Sequence, residues 1–278
     1  MAERIEIEDR RVGLLNGAAE ALWAPLKAWL QAVSGLCLQG LTKEPLPDRT
    51  LWHVVCGPVE VLILQLEPAL RSIQWIAPDS PAPYGLEATS LPRKLATPYV
   101  IIKVPFRRRR VVHRVEVFYR NEPLREVSGP GGELFWPNLL NVSPNAHGCH
   151  SWFCTQFLDQ AEKPYGLGGG SNAVVHHLWG GQFNFSSEAH EGKSAFSLAG
   201  EMLADERVTN VDRWEAESDR DPRFVLSVNW ASTGLDVEKL VLAEFAAQGV
   251  PLVPDSVSAL AHHVLRLQRQ SAGEPDES

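Results

Sequence analysis

Between Tyr99 and Arg120, two runs rich in β-branched and aromatic residues flank four consecutive arginines, and this stretch limits the fold more than any other. Val115, Val117 and Tyr119 alternate with Glu116, Phe118 and Arg120, the period-two signature of a strand. The run 99–106 has the same β-forming composition, and the arginines at 107–110 fall where the chain must reverse. Residues 99–120 therefore predict a β-hairpin. A lone hairpin is marginal in water, so other elements must cover its apolar face.

Candidate strands lie just upstream. Segments 51–56, 59–66 and 72–76 are rich in Val, Ile, Leu and Trp and are separated by Gly57-Pro58 and Pro68, which predicts a meander. Ahead of them, Leu15, Ala18, Leu22, Leu26, Trp29 and Val33 recur at spacings of three and four, predicting an amphipathic helix over 12–33 kinked at Pro25. Residues 78–92 form a proline-rich loop too long for a simple turn. Downstream, the glycines at 166–170 read as a flexible spacer, and Asn172 as the cap of a short helix over 173–179. A helix over 194–205, a late strand over 223–230, a helix capped by Asp236 and ending near Gly249, and a last amphipathic helix from Ser256 follow. The fold class is α+β, without the βαβ alternation of a doubly wound sheet. The expected parts are an N-terminal helical segment (1–41), a central α+β domain (42–205), a C-terminal strand and helix extension (206–270) and a disordered tail (271–278).

Composition removes several function classes. The 278 residues are 44% hydrophobic and 22% charged, enough apolar content for a packed core. A net charge of −8 argues against nucleic acid as the main partner, and the arginine run reads as a solvated tip. No window holds about 18 consecutive apolar residues, and the start lacks the apolar core of a secretory signal, so no membrane partner and a cytoplasmic location are expected. Four unevenly spaced cysteines fit a reducing compartment.

The chemistry concentrates in 134–154, an irregular stretch with Pro137, Pro144, Asn138, Asn141, Asn145 and Gly148 that also carries His147, Cys149, His150 and Cys154. Gly192-Lys193-Ser194 is no phosphate loop, because Ser187 stands where the first glycine belongs. His190-Glu191 is no zinc-protease helix, because position 194 is serine. Cys149 and Cys154 with His147, His150, His176 and His177 supply ligand types that zinc prefers, although the Cys-x4-Cys spacing is loose and no second cysteine pair exists. Cys154, between aromatic neighbours, reads as a core residue, as do Cys37 and Cys56. Cys149 has the surroundings of a reactive thiol. His147, His150 and, further on, His190 are candidates to tune its pKa, and Asn141 can offer an amide donor to an oxyanion formed there.

Asn141 precedes Cys149 by eight positions after a strand meander. In this the chain resembles the active-site region of ubiquitin-conjugating enzymes. Arg120-Asn121, Pro123, Glu133-Leu134, the Pro137 turn, Asn141-Val142 and Cys149, with Trp179, Phe183 and His190 downstream, resemble more closely a divergent prokaryotic ubiquitin-conjugating-like family, which includes the B protein of plasmid-borne PRTRC systems. The resemblance covers 98–192. It implies an antiparallel meander flanked by helices and a transferase that carries a ubiquitin-like protein on Cys149 as a thioester, received from an activating enzyme. Asn141 would be the oxyanion donor, and no cofactor is implied. The chain departs from the His-Pro-Asn triplet of the eukaryotic enzymes, reading Leu139-Leu140-Asn141. An adaptor of the same fold without catalysis and a zinc-stabilised binding protein are the alternatives.

Overall fold

The computed structural model describes residues 46–56, 58–77, 80, 89–112, 115–126, 130–144, 151–153, 166–185, 187, 193–203 and 205–248, and the backbone of three strands before them. The chain divides into two compact units, one of residues 1–42, 55–58 and 245–278, the other of 43–54 and 59–244. The expected helix from Ser256 and the tail lie outside the described residues.

In the first unit, β1 (Arg4–Glu8), β2 (Arg11–Leu15) and β3 (Leu22–Pro25) form an antiparallel sheet in that order. Two segments of the expected helix over 12–33 are thus strands. A competing signal was present: Ile5, Ile7, Val12 and Leu14 recur at period two, and the register sets Ile5 opposite Leu14 and Ile7 opposite Val12. Pro25 sits on the edge strand β3, a place that tolerates a residue without an N–H.

The second unit is α+β. Its large sheet follows the order β12-β13-β10-β8-β5-β4, from β4 (Thr50–Cys56), β5 (Val59–Leu66), β8 (Tyr99–Arg107), β10 (Val115–Arg120), β12 (Val142–Ser143) and β13 (Trp152–Phe153). The short strands β9 (Arg110–Val111) and β11 (Glu133–Phe135) pair with β8 and β10, and β15 (Ser232–Asp236) pairs with β11. The expected hairpin is present, with Tyr99 opposite Arg120 and Lys103 opposite Glu116. The expected meander is only partly so: β6 (Ala69–Ile76) leaves the main sheet and pairs with β7 (Ser90–Thr97) and, in parallel, with β14 (Gln182–Phe183).

Every residue of β5 and β10 is buried, so the middle of the sheet is covered on both faces. On one face Leu62, Leu64, Ile102, Val104, Val115 and Val117 join the main core. On the other, Val61, Ile63, Ile101 and Phe118 are equally sealed from solvent. Strands buried on both sides read as near-continuous apolar runs, and 59–66 and 99–106 read so in the sequence, interrupted by Glu60, Gln65 and Lys103.

Helices complete the unit: α1 (Leu167–Gly180), α2 (Ala195–Met202), α3 (Glu206–Thr209), α4 (Val211–Arg220) and, as far as Glu244, α5 (Val237–Ala247). The glycines at 166–170 belong to α1 and its cap rather than to a spacer. Gly166, at φ 90°, takes the left-handed region that glycine enters freely, and its N–H bonds Arg109 O at 3.1 Å. At Gly170 a β-carbon would lie 2.6 Å from Phe106 Cε1 and 2.8 Å from Val111 Cγ2, so only glycine lets the helix approach this closely. Ser194 caps α2 by accepting from Ser197 N, Asn210 caps α4 by accepting from Asp212 N and Arg213 N, and Asp236 accepts from Lys239 N at the start of α5. The stretch 223–230, expected as a strand, contains the 3-10 turn Phe224–Ser227, fixed where Trp230 Nε1 donates to Val225 O.

Helix α4 covers the outer edge of β7. Glu215 accepts from Lys94 N, Ser218 Oγ accepts from Ala96 N at 2.8 Å, and Trp214 Nε1 donates to Ala96 O at 2.9 Å. Side chains thus satisfy the row of backbone groups that an edge strand leaves open.

Candidate functional site

The chemistry-bearing stretch ends in a pair of very short strands. Val142 lies opposite Phe153 and Ser143 opposite Trp152, so residues 144–151 form one connection with both ends pinned. Strand β13 is held in turn by β10, with Phe153 opposite Val115 and Trp152 opposite Glu116, and Ser151 O accepts from Val117 N at 3.0 Å. Of the site residues expected from sequence, Asn141 lies among the described residues, at the entry to β12. Cys149, His147 and His150, within that connection, lie outside them, as do His190 and Cys154.

Three oxygens beside the connection are buried and have no hydrogen-bond partner: Asn138 Oδ1, Asn141 Oδ1 and Ser151 Oγ. Asn138 is fully enclosed, and its Nδ2 donates to Val208 O, which ties the approach to β12 to α3. Phe196 N donates to Leu139 O at 3.1 Å, binding the same approach to α2. Buried polar atoms left without partners are few in native proteins and call for a reason. All three belong to residues within four positions of β12 or β13.

One histidine reaches β13. His177, in the last turn of α1, packs on Phe153 with ring centroids 5.3 Å apart, whereas His176 is exposed. The structure thus brings His177, which the sequence offered as a zinc ligand, against the strand that leaves the cysteine connection. Among the described residues no group of three or more His, Cys, Asp or Glu could hold a metal ion.

Composition hid a charged centre. Lys103 Nζ bonds Glu244 Oε2 at 2.7 Å and pairs with Glu116 Oε2, and each of the three residues is only 2% exposed. Register continues this line across the sheet: Ile63, Lys103, Glu116, Trp152 and Ser143 stand opposite one another in turn on β5, β8, β10, β13 and β12. A buried ion pair therefore begins on the strand next to the end of the cysteine connection, with Glu116 opposite Trp152. The available signal was Lys103, a single charge inside an otherwise apolar run. Alternation in β10 instead reads Glu116 as a solvated residue, and the sequence gives no sign that α5 brings Glu244 back to it.

No helix among the described residues is long and apolar enough to cross a membrane. Comparison with protein-family models, with curated proteins and with solved structures finds no match for the chain.

Proposed function

We propose that this chain is a ubiquitin-conjugating-like transferase of a reducing, cytoplasmic compartment. It accepts the C-terminal carboxyl group of a ubiquitin-like protein as a thioester on Cys149 and passes it to an amine. The observation that carries the reading is the placement of Asn141 at the entry to β12, followed by a pinned connection that holds Cys149 and then by helix α1. In the first step the Cys149 thiolate attacks the acyl carbon held as a thioester on the activating enzyme. The new C–S bond forms as the old one breaks, and the enzyme's thiolate leaves. In the second, an amine attacks the same carbon, Cys149 leaves as thiolate, and the amine gives up its proton to a base. Dividing one acyl transfer into two such steps is ordinary covalent catalysis. The Asn141 amide would stabilise the oxyanion of the second step.

The test is incubation with a ubiquitin-like protein, its activating enzyme and ATP, followed by a non-reducing gel. The expected result is an adduct that thiols cleave, absent in Cys149→Ala and present in Cys154→Ala. Asn141→Ala should still charge but discharge to lysine about 10²-fold more slowly, the usual scale for one lost oxyanion donor. An adduct formed equally on Cys149→Ala overturns the reading. The adaptor alternative is favoured by the burial of Asn141 Oδ1, which keeps that end of the amide away from a substrate. It predicts that no adduct forms.

A further inference from the structure

The turn between β8 and β9 carries a cluster of charge of which the fold uses one member, Arg109. Arg107 pairs with Arg110, leaving Arg108 and Arg109 as the two residues of a tight hairpin loop. Both have positive φ, 51° and 66°, the sign that a type I′ turn requires at both central positions. Asn-Gly adopts that conformation with little strain; arginine, with its β-carbon, does not. One of the two arginines has a structural reason to be there. Arg109 Nε stands 3.4 Å from Glu60 Oε1, and Arg109 O receives Gly166 N–H at the head of α1. The other positions have none. Arg107, Arg108 and Arg110 are exposed, and among the described residues their side chains make no hydrogen bond, ion pair or ring contact. A strained backbone kept at a position that contributes nothing to the fold points to a use outside it.

The chemistry of that use follows from the groups. Guanidinium forks match carboxylates in a two-point geometry, and four arginines lie on one tip of a chain whose net charge is nevertheless −8. Paired residues on adjacent strands stand only about 5.5 Å apart, so the footprint is compact. A long polyanion leaving such a tip would run over the surface of an acidic protein, whereas a short segment would not. We propose that the β8–β9 turn is a docking point for a short, carboxylate-rich segment of a partner protein. The inference is independent of any role for Cys149.

The test uses the full chain and a fluorescein-labelled peptide carrying six glutamates in a glycine-serine context, followed by fluorescence anisotropy at low salt. The expected result is saturable binding that weakens about tenfold in Arg107→Ser/Arg108→Ser/Arg110→Ser, the product of three exposed ion pairs. Arg125→Ser/Arg223→Ser, which removes two exposed arginines elsewhere, should leave binding within about twofold. Absence of wild-type binding, equal loss in both variants, or tighter binding of a single-stranded dT decamer than of the peptide overturns the proposal. Arg108→Gly supplies a second readout, because it should raise the melting temperature while weakening the peptide. If it lowers the melting temperature, the fold itself needs Arg108 and the premise is wrong. Should the triple variant not fold, Arg108→Gly alone decides.

Discussion

Gly170 occupies a position into which one methyl group does not fit. Its missing side chain is what allows α1 to rest on Phe106 and Val111, both packed into or against the core. Gly170→Ala should therefore lower stability by about 1–3 kcal/mol, the usual effect of overpacking, although alanine is the better helix former. Gly168→Ala, with nothing within 4 Å of its β-carbon, should be neutral or stabilising. Urea unfolding of the two variants separates a packing requirement from a general demand for flexibility. Lys103 poses the opposite problem, a charge enclosed rather than a group missing. Lys103→Met leaves Glu116 and Glu244 buried without their shared cation and should lose about 3–5 kcal/mol. Replacing all three with apolar residues should recover most of that loss. If the triple replacement unfolds like Lys103→Met, the three charges hold more of the fold than their mutual attraction.

At the scale of elements, the junction of β7 with α4 rests on groups that titrate in acid. Burial pushes the Glu215 carboxyl up, but hydrogen bonds from Arg93 and Lys94 N outweigh it and hold the group below its ordinary value of 4.5. Hydrogen bonds from Arg207 hold Asp205 below its ordinary value of 3.8 in the same way. A carboxylate with a lowered folded-state pKa contributes stability that is present above its unfolded value and is lost as pH falls through the folded one. The protein should therefore lose stability below about pH 4, and Glu215→Gln should reduce the Glu215 share of that loss while costing about 1 kcal/mol at pH 7. Melting curves at pH 7 and pH 3.5 check both signs. The same junction shows why parts of the fold could not be read from the sequence. Strand β7 contains Pro92 and Lys94 and is half exposed, so it resembles the loop it follows, and α4 buries only Val211, Trp214 and Ser218, a stripe too narrow to stand out. By contrast β5 and β8 were legible because burial on both faces leaves few polar interruptions, Glu60 and Gln65 in β5 and Lys103 inside β8. Helix starts at Ser194 and Asp236 were legible because the capping side chain is itself the signal.

Across the second unit, what the sequence could not reveal is mostly long-range. Nothing local indicates that β6 should leave its neighbour for a separate sheet, or that β15 should return to pair with β11. Residues 206–244, expected as an extension, belong to the same compact unit as 59–205. For the candidate site, the local spacing of Asn141 and Cys149 was readable, but the approach of His177 to Phe153 and the line of register from Lys103 to Ser143 exist only once strands pair. One consequence concerns time. The hydrogen bonds from α4 that close the edge of β7 join residues separated by 118, 121 and 122 positions. At synthesis rates of about 5–20 residues per second, the edge waits roughly 6–24 s for its cover. During that interval β7 is a strand edge open to any other strand, so the nascent chain is most prone to association after β7 has emerged and before α4 has.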